Sequence, residues 1–118
     1  MPRFEQGQVV RVPFPYTDKN TTQRRPALVV SNGAVGGMGD LLWVVMITSA
    51  ENRAWPLDVS LGDTWEEAGL TAPSVIRPEK IAVIEASAVL GVAGRIKPTT
   101  MVRVGDAISE VMGFRRVQ

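Results

Sequence analysis

The segment that most constrains the fold of this chain is Leu41–Thr48, LLWVVMIT, an unbroken apolar run ending in a threonine. It is far too short to cross a bilayer. It also lacks the polar alternation of a half-buried strand, and its aromatic and β-branched side chains suit a strand buried on both faces. Trp43, inside the run, reads as a core residue. Shorter segments around it carry the strand signature. Val10, Val12 and Phe14 alternate with Val9, Arg11 and Pro13 over Gln8–Phe14, and Pro26–Ser31 is a short apolar strand whose first residue is a proline. Leu57, Val59 and Leu61 alternate with Asp58 and Ser60. Ser74–Arg77 and Ile81–Glu85 read as two further strands separated by Pro78. Between them, Pro15–Gln23 is a polar, turn-rich loop, and Asn32–Asp40, with four glycines, is another.

Towards the end of the chain the period changes. Met101, Val104, Ile108 and Val111 recur at helical spacing with Met112 on the same face, Thr99 or Thr100 can cap the start, and Gly113 suits the position just past the end. Trp65–Gly69 has the makings of one short helical turn. Short strands followed by one amphipathic helix predict a mostly β fold, a small, strongly bent sheet or barrel with the helix packed on it. The length of 118 residues suits a single domain over 1–118, without room for a separate cofactor domain. The N-terminus lacks the apolar stretch of a signal peptide, so the expected location is cytoplasmic and away from membranes.

Composition removes several chemistries. The chain contains no cysteine and no histidine, which excludes disulfides, thiolate catalysis, histidine-based triads and histidine or cysteine metal sites. The carboxylates are scattered, with Glu66-Glu67 the adjacent pair, and this spacing predicts no dedicated metal site. No cofactor is expected. Gly33-Ala34-Val35-Gly36-Gly37-Met38-Gly39 follows a strand like a phosphate loop, but it lacks the Gly-Lys-Ser/Thr ending and a strand follows it, so it reads as a flexible connection. A net charge of +1 gives no strong overall pull on nucleic acid, so any RNA or DNA must be held by a local patch. Trp55, in a loop beside Arg53 and Pro56, suits stacking on a base, a subunit interface, or plain packing.

Arg24-Arg25-Pro26 is the most informative motif. Arg25 precedes one strand and Thr48 closes the next. If the two strands are antiparallel neighbours, a guanidinium and a hydroxyl share one end of the sheet.

At this point the chain resembles the MazF/PemK-type toxins. The resemblance rests on Gly7-x-Val9-Val10, Pro15-x-Thr17-Asp18, Arg25-Pro26-Ala27-Leu28-Val29-Val30-Ser31, Ile47-Thr48-Ser49, Asp58-Val59-x-Leu61, Gly69-Leu70 and Ser74-Val75-Ile76. It implies an SH3-like barrel of the MazF/PemK/CcdB type, a homodimer, and an endoribonuclease of the mRNA-interferase kind that cuts single-stranded RNA at short sequences. It also implies a cognate antitoxin whose acidic segment covers the RNA groove. Cleavage would proceed without metal, by attack of the RNA 2′-hydroxyl, leaving a 2′,3′-cyclic phosphate and a 5′-hydroxyl.

The resemblance assigns catalysis to Arg25 and Thr48. A guanidinium offers a planar fork of donors for phosphate oxygens, but with a pKa above about 12 it is a poor base. Some PemK-like members place an arginine and an aspartate two residues apart, where this chain has Arg77-Pro78-Glu79. Glu79 is then the candidate base and Arg77 a phosphate contact, the alternative being an exposed strand-end ion pair. Arg24, Arg53 and Trp55 complete the expected RNA-binding set. Two other functions fit the same fold: a CcdB-like toxin that binds DNA gyrase, and an inactive SH3-like interaction module.

Overall fold

The computed structural model describes residues 3–13 and 24–114. The expected strand end at Phe14, the loop Pro15–Gln23 and the Thr17-Asp18 pair lie outside the described residues. Six strands are present: β1 (Gln8–Pro13), β2 (Arg24–Val29), β3 (Leu41–Ser49), β4 (Val59–Ser60), β5 (Ser74–Glu85) and β6 (Gly91–Arg95). One helix, α1 (Pro98–Met112), follows them. They form one antiparallel sheet in the order β4-β5-β3-β2-β1-β6, curled into a half-barrel with α1 on its inner side.

β3 is buried on both faces, as its composition predicts, and the two faces belong to different cores. Val45 and Ile47 pack with Leu28, Ile76 and Val104 of α1, while Leu42, Val44 and Met46 pack with Val10, Val12 and Val29. Trp43 departs from the expectation, being 42% exposed. It stands on the same face as Val45, opposite Val83, and Val83 and Ile81 are 53% and 43% exposed. The burial of an apolar strand residue depends on what covers its face, and here nothing among the described residues covers all three.

Ser74–Glu85 is one strand, not two. The register against β3 shifts from Met46↔Arg77 to Val45↔Ile81, so Pro78 falls within a bulge, where no ladder amide is needed. β6 was not anticipated: its two glycines mask the pattern. One of them, Gly94, admits a close backbone approach, since a methyl there would lie 2.5 Å from the Ala68 carbonyl oxygen. A methyl on Gly69 would collide with Ala93 in the same way, so the turn after β4 rests backbone-to-backbone on β6 and draws the two sheet edges together. The strand expected at Leu57–Leu61 is ordered as β4 at Val59–Ser60 alone, and a 3₁₀ turn at Gly62–Trp65 starts earlier than expected. In α1 neither threonine caps: Lys97 is the N-cap and Pro98 opens the helix, where its missing N–H costs nothing. Gly113 ends it with φ 75°.

Candidate active site

The site is opened by a proline. Val30 N–H donates to the Trp43 carbonyl, so the even-numbered residues of β2 point their backbone groups at β3. Pro26 is even-numbered and has no N–H, and the β2–β3 ladder stops at Ala27↔Met46. Beyond that point the two strands flank a cleft of about 230 Å³ lined by Arg25, Pro26, Ile47, Thr48, Ser49 and Asn52, with Leu70–Ala72 and Ser74 opposite. Carrying the register two residues past its last pair sets Arg25 opposite Thr48, on one face of the sheet. Arg25 is half-buried, with its Nε enclosed, and Thr48 is 7% exposed, so its hydroxyl is held within the wall. The Thr48 Oγ1 accepts a hydrogen bond from Asn52 Nδ2 at 2.7 Å.

A second cluster joins the loop between β3 and β4 to strand β5. Arg77 is 5% exposed. Its Nε and Nη2 donate to the two carboxylate oxygens of Asp58 at 3.0 and 2.9 Å, and Nη2 also donates to the Arg53 carbonyl at 2.8 Å. The same guanidinium stacks 4.5 Å from the centre of the Trp55 ring, with the Lys80 ammonium at 5.7 Å. The Trp55 N–H donates to Asp58 Oδ2 at 2.9 Å. Burial pushes the Asp58 carboxyl up, but the hydrogen bonds from Arg77 and the Trp55 N–H, with the charge of Arg77, outweigh it and hold the group below its ordinary pKa. Glu79 is exposed, and its Oε1 accepts the Leu57 N–H at 3.4 Å.

The structure therefore sorts the expected residues into two groups. Arg25 and Thr48 line one cleft. Arg77, Trp55 and Glu79 hold the 53–58 loop to β5, and neither they nor Arg24 and Arg53 line that cleft. Arg77 is neither an exposed phosphate contact nor the exposed strand-end pair with Glu79 that was the alternative, because Asp58 occupies its fork in a buried salt bridge. Arg24 and Arg53 are exposed. Sequence reasoning missed Asn52 and Asp58: one folds back across a turn, and the other pairs with a residue 19 positions away.

A family model for the PemK-like, MazF-like toxin of type II toxin–antitoxin systems matches residues 5–112. The chain belongs to this family. Solved structures agree with that fold for this PemK/MazF-like chain. It is 21% identical to MazF from Deinococcus radiodurans, with 97% of this chain and 100% of that one covered and a TM-score of 0.75. It is likewise 21% identical to a mycobacterial endoribonuclease in complex with its cognate antitoxin, covering 96% and 98% of the two chains at a TM-score of 0.74. To the Mycobacterium tuberculosis toxin MazF-mt6 it is 15% identical, covering 92% and 99% at a TM-score of 0.70. No curated protein matches the chain by sequence. No helix among the described residues of the PemK/MazF-like chain is long and apolar enough to cross a membrane.

Proposed function

We propose that this PemK/MazF family member is an endoribonuclease that cleaves single-stranded RNA in the Arg25–Thr48 cleft, without a metal ion. The carrying observation is that the cleft where the β2–β3 ladder ends is lined by both a guanidinium and a buried hydroxyl. RNA supplies its own nucleophile, so the protein must align the 2′-hydroxyl with phosphorus and meet the charge that builds on the phosphate oxygens. A bond forms between the 2′-oxygen and phosphorus while the bond from phosphorus to the 5′-oxygen breaks. The 2′-hydroxyl loses a proton and the departing 5′-oxygen gains one. Arg25 is assigned to grip two phosphate oxygens, and Thr48 to donate a hydrogen bond to the phosphate. A base must come within hydrogen-bond reach of the proton it removes. Glu79 stands outside the cleft, and no base role is assigned to it. Exposed Arg24 and Arg53 suit contacts to flanking phosphates, and the half-buried Trp55 ring suits the edge of that path.

The structural relatives described with their antitoxins support a cognate antitoxin as partner, with acidic side chains taking the place of phosphates in the cleft. A homodimer belongs to the same reading. Support for it comes from Trp43, Ile81 and Val83, three exposed large apolar side chains on one face of β3 and β5. The test of the activity is incubation with a long single-stranded transcript in EDTA, followed by mapping of the ends. Cleavage leaving 2′,3′-cyclic phosphates and 5′-hydroxyls is expected. Intact RNA, or cleavage that requires added metal, would overturn the proposal.

A further inference from the structure

The turn that follows β3 is tightly built. Asn52 N–H closes it onto the Ser49 carbonyl at 3.1 Å, Glu51 N–H donates to Ser49 Oγ at 3.2 Å, and Ala50 N–H donates to the Pro73 carbonyl at 3.0 Å. These three bonds order a turn in which Asn52 lies at the surface, open to competition from water. Its side chain nevertheless turns inward, and its amide nitrogen donates to Thr48 Oγ1 at 2.7 Å. Both residues line the cleft with Arg25.

A threonine hydroxyl has one proton to give and two lone pairs to receive with. The Asn52 amide donates to one lone pair, so the Thr48 proton is not directed back to the protein at that contact. Accepting a hydrogen bond also polarises the O–H and makes it a better donor to an anionic oxygen. Thr48 is β-branched and buried in the sheet, which limits the rotation by which the hydroxyl could leave this arrangement.

We propose that Asn52 is a positioning residue for the cleavage reaction: its amide holds the Thr48 hydroxyl as a donor aimed at the scissile phosphate. The inference rests on the reading of Thr48 given under Proposed function. It makes no claim that Asn52 touches RNA, so its effect must pass through the Thr48 hydroxyl.

A double-mutant cycle separates the two statements. The substrate is a short RNA spanning a site mapped on the long transcript, and affinity is read with the same RNA carrying a 2′-deoxy residue at the scissile position. Asn52→Ala should lower kcat about tenfold, the loss of one oriented hydrogen bond, with affinity changed less than about twofold. In the Thr48→Val background the same substitution should cost less than about twofold, because the hydroxyl it positions is already gone. In the Thr48→Ser background, which keeps a hydroxyl, the loss should return. Asn52→Asp can accept but cannot donate when ionised, and should lose at least as much kcat as Asn52→Ala.

An undiminished kcat in Asn52→Ala, or an equal loss with and without the Thr48 hydroxyl, overturns the positioning role while leaving the reading of Thr48 intact. Recovery of activity in Asn52→Asp also overturns it, since Thr48 would then be the donor in the pair. Full activity in folded Thr48→Val instead overturns the reading of Thr48, and the inference with it. Asn52 is an exposed turn residue whose backbone closes the turn, so its variants should fold, and circular dichroism checks this.

Discussion

The two ends of the sheet differ in a way that volume alone would misjudge. The end where β2 stops, and where β3 begins, carries the larger cavity, about 660 Å³, between Phe4, the glycine-rich Asn32–Asp40 connection and Ala86. Its charged lining is Asp40, Glu85, Glu5 and Arg3, with Glu5 paired with Arg95. The opposite end holds a cleft about a third that size, lined by Arg25, the buried or half-buried hydroxyls of Thr48, Ser49 and Ser74, and an oriented amide. The first arrangement, with Asp40 and Glu85 against one arginine, offers an anionic backbone little, and the second can hydrogen-bond it. On the reading proposed above, chemistry follows the convergent polar groups that the sheet holds in place and not the roomier cavity.

The largest expected contrast between the ends is in the proposed cleavage. Arg25→Ala should cut the cleavage rate by about two to three orders of magnitude, the usual cost of losing one oriented donor to developing charge. Arg25→Lys should rescue poorly, because an ammonium cannot reproduce the fork. Asp40→Asn, at the other end, should leave the rate within about twofold. If both substitutions behaved alike in folded proteins, the assignment of function to one end would fail.

Asp58 measures how far the loop beside the cleft depends on its buried pair. Asp58→Asn keeps the shape but deprives the Arg77 guanidinium of its carboxylate. It should cost about 3 kcal/mol in urea unfolding, as removal of one partner from a buried pair does. The carboxyl is held below its ordinary pKa in the folded state, so its contribution is fully present above the unfolded value of about 3.9 and is lost as pH falls through the lowered folded value. The stability gap between wild type and Asp58→Asn should therefore be constant from neutral pH to about pH 5, and narrow in stronger acid. A gap that widened in acid would contradict the charge assignment.

The smallest effects should come from the exposed arginines. Arg24→Ala and Arg53→Ala should each weaken RNA affinity by a few-fold and lower the dependence of binding on salt by about one phosphate contact. An unchanged salt slope would remove them from the RNA path.

How much of this could be read from the sequence depends on the range of the interaction. Arg25-Pro26 is legible in part: the proline marks a place where one ladder must lose a bond, but that the loss falls on the β3 side, while β1 stays paired through Arg24, shows only in the register. Thr48 is legible as the polar end of an apolar run. Asn52 is not, because a side chain folding back across a turn onto a hydroxyl leaves no periodic trace. Asp58 reads locally as the solvent side of a strand, and its burial depends on the β4–β5 register, which, carried one residue past Val59↔Ile76, sets it opposite Arg77, 19 residues away. Trp43 fails for the opposite reason. Its neighbours in the chain say core, but coverage is decided by where α1 lies. β6 is obscured by the glycines that let the turn after β4 approach it.

The central claim, that RNA is held at the Arg25–Thr48 end, is tested most directly by amide NMR of the protein titrated with an RNA oligonucleotide carrying a 2′-deoxy residue at the mapped cleavage site. The account predicts that the signals of Arg25, Thr48, Ser49, Asn52 and Ser74 shift with occupancy while those of Asn32–Asp40 stay in place. Shifts concentrated at Asn32–Asp40, with Arg25 and Thr48 unmoved, would contradict it.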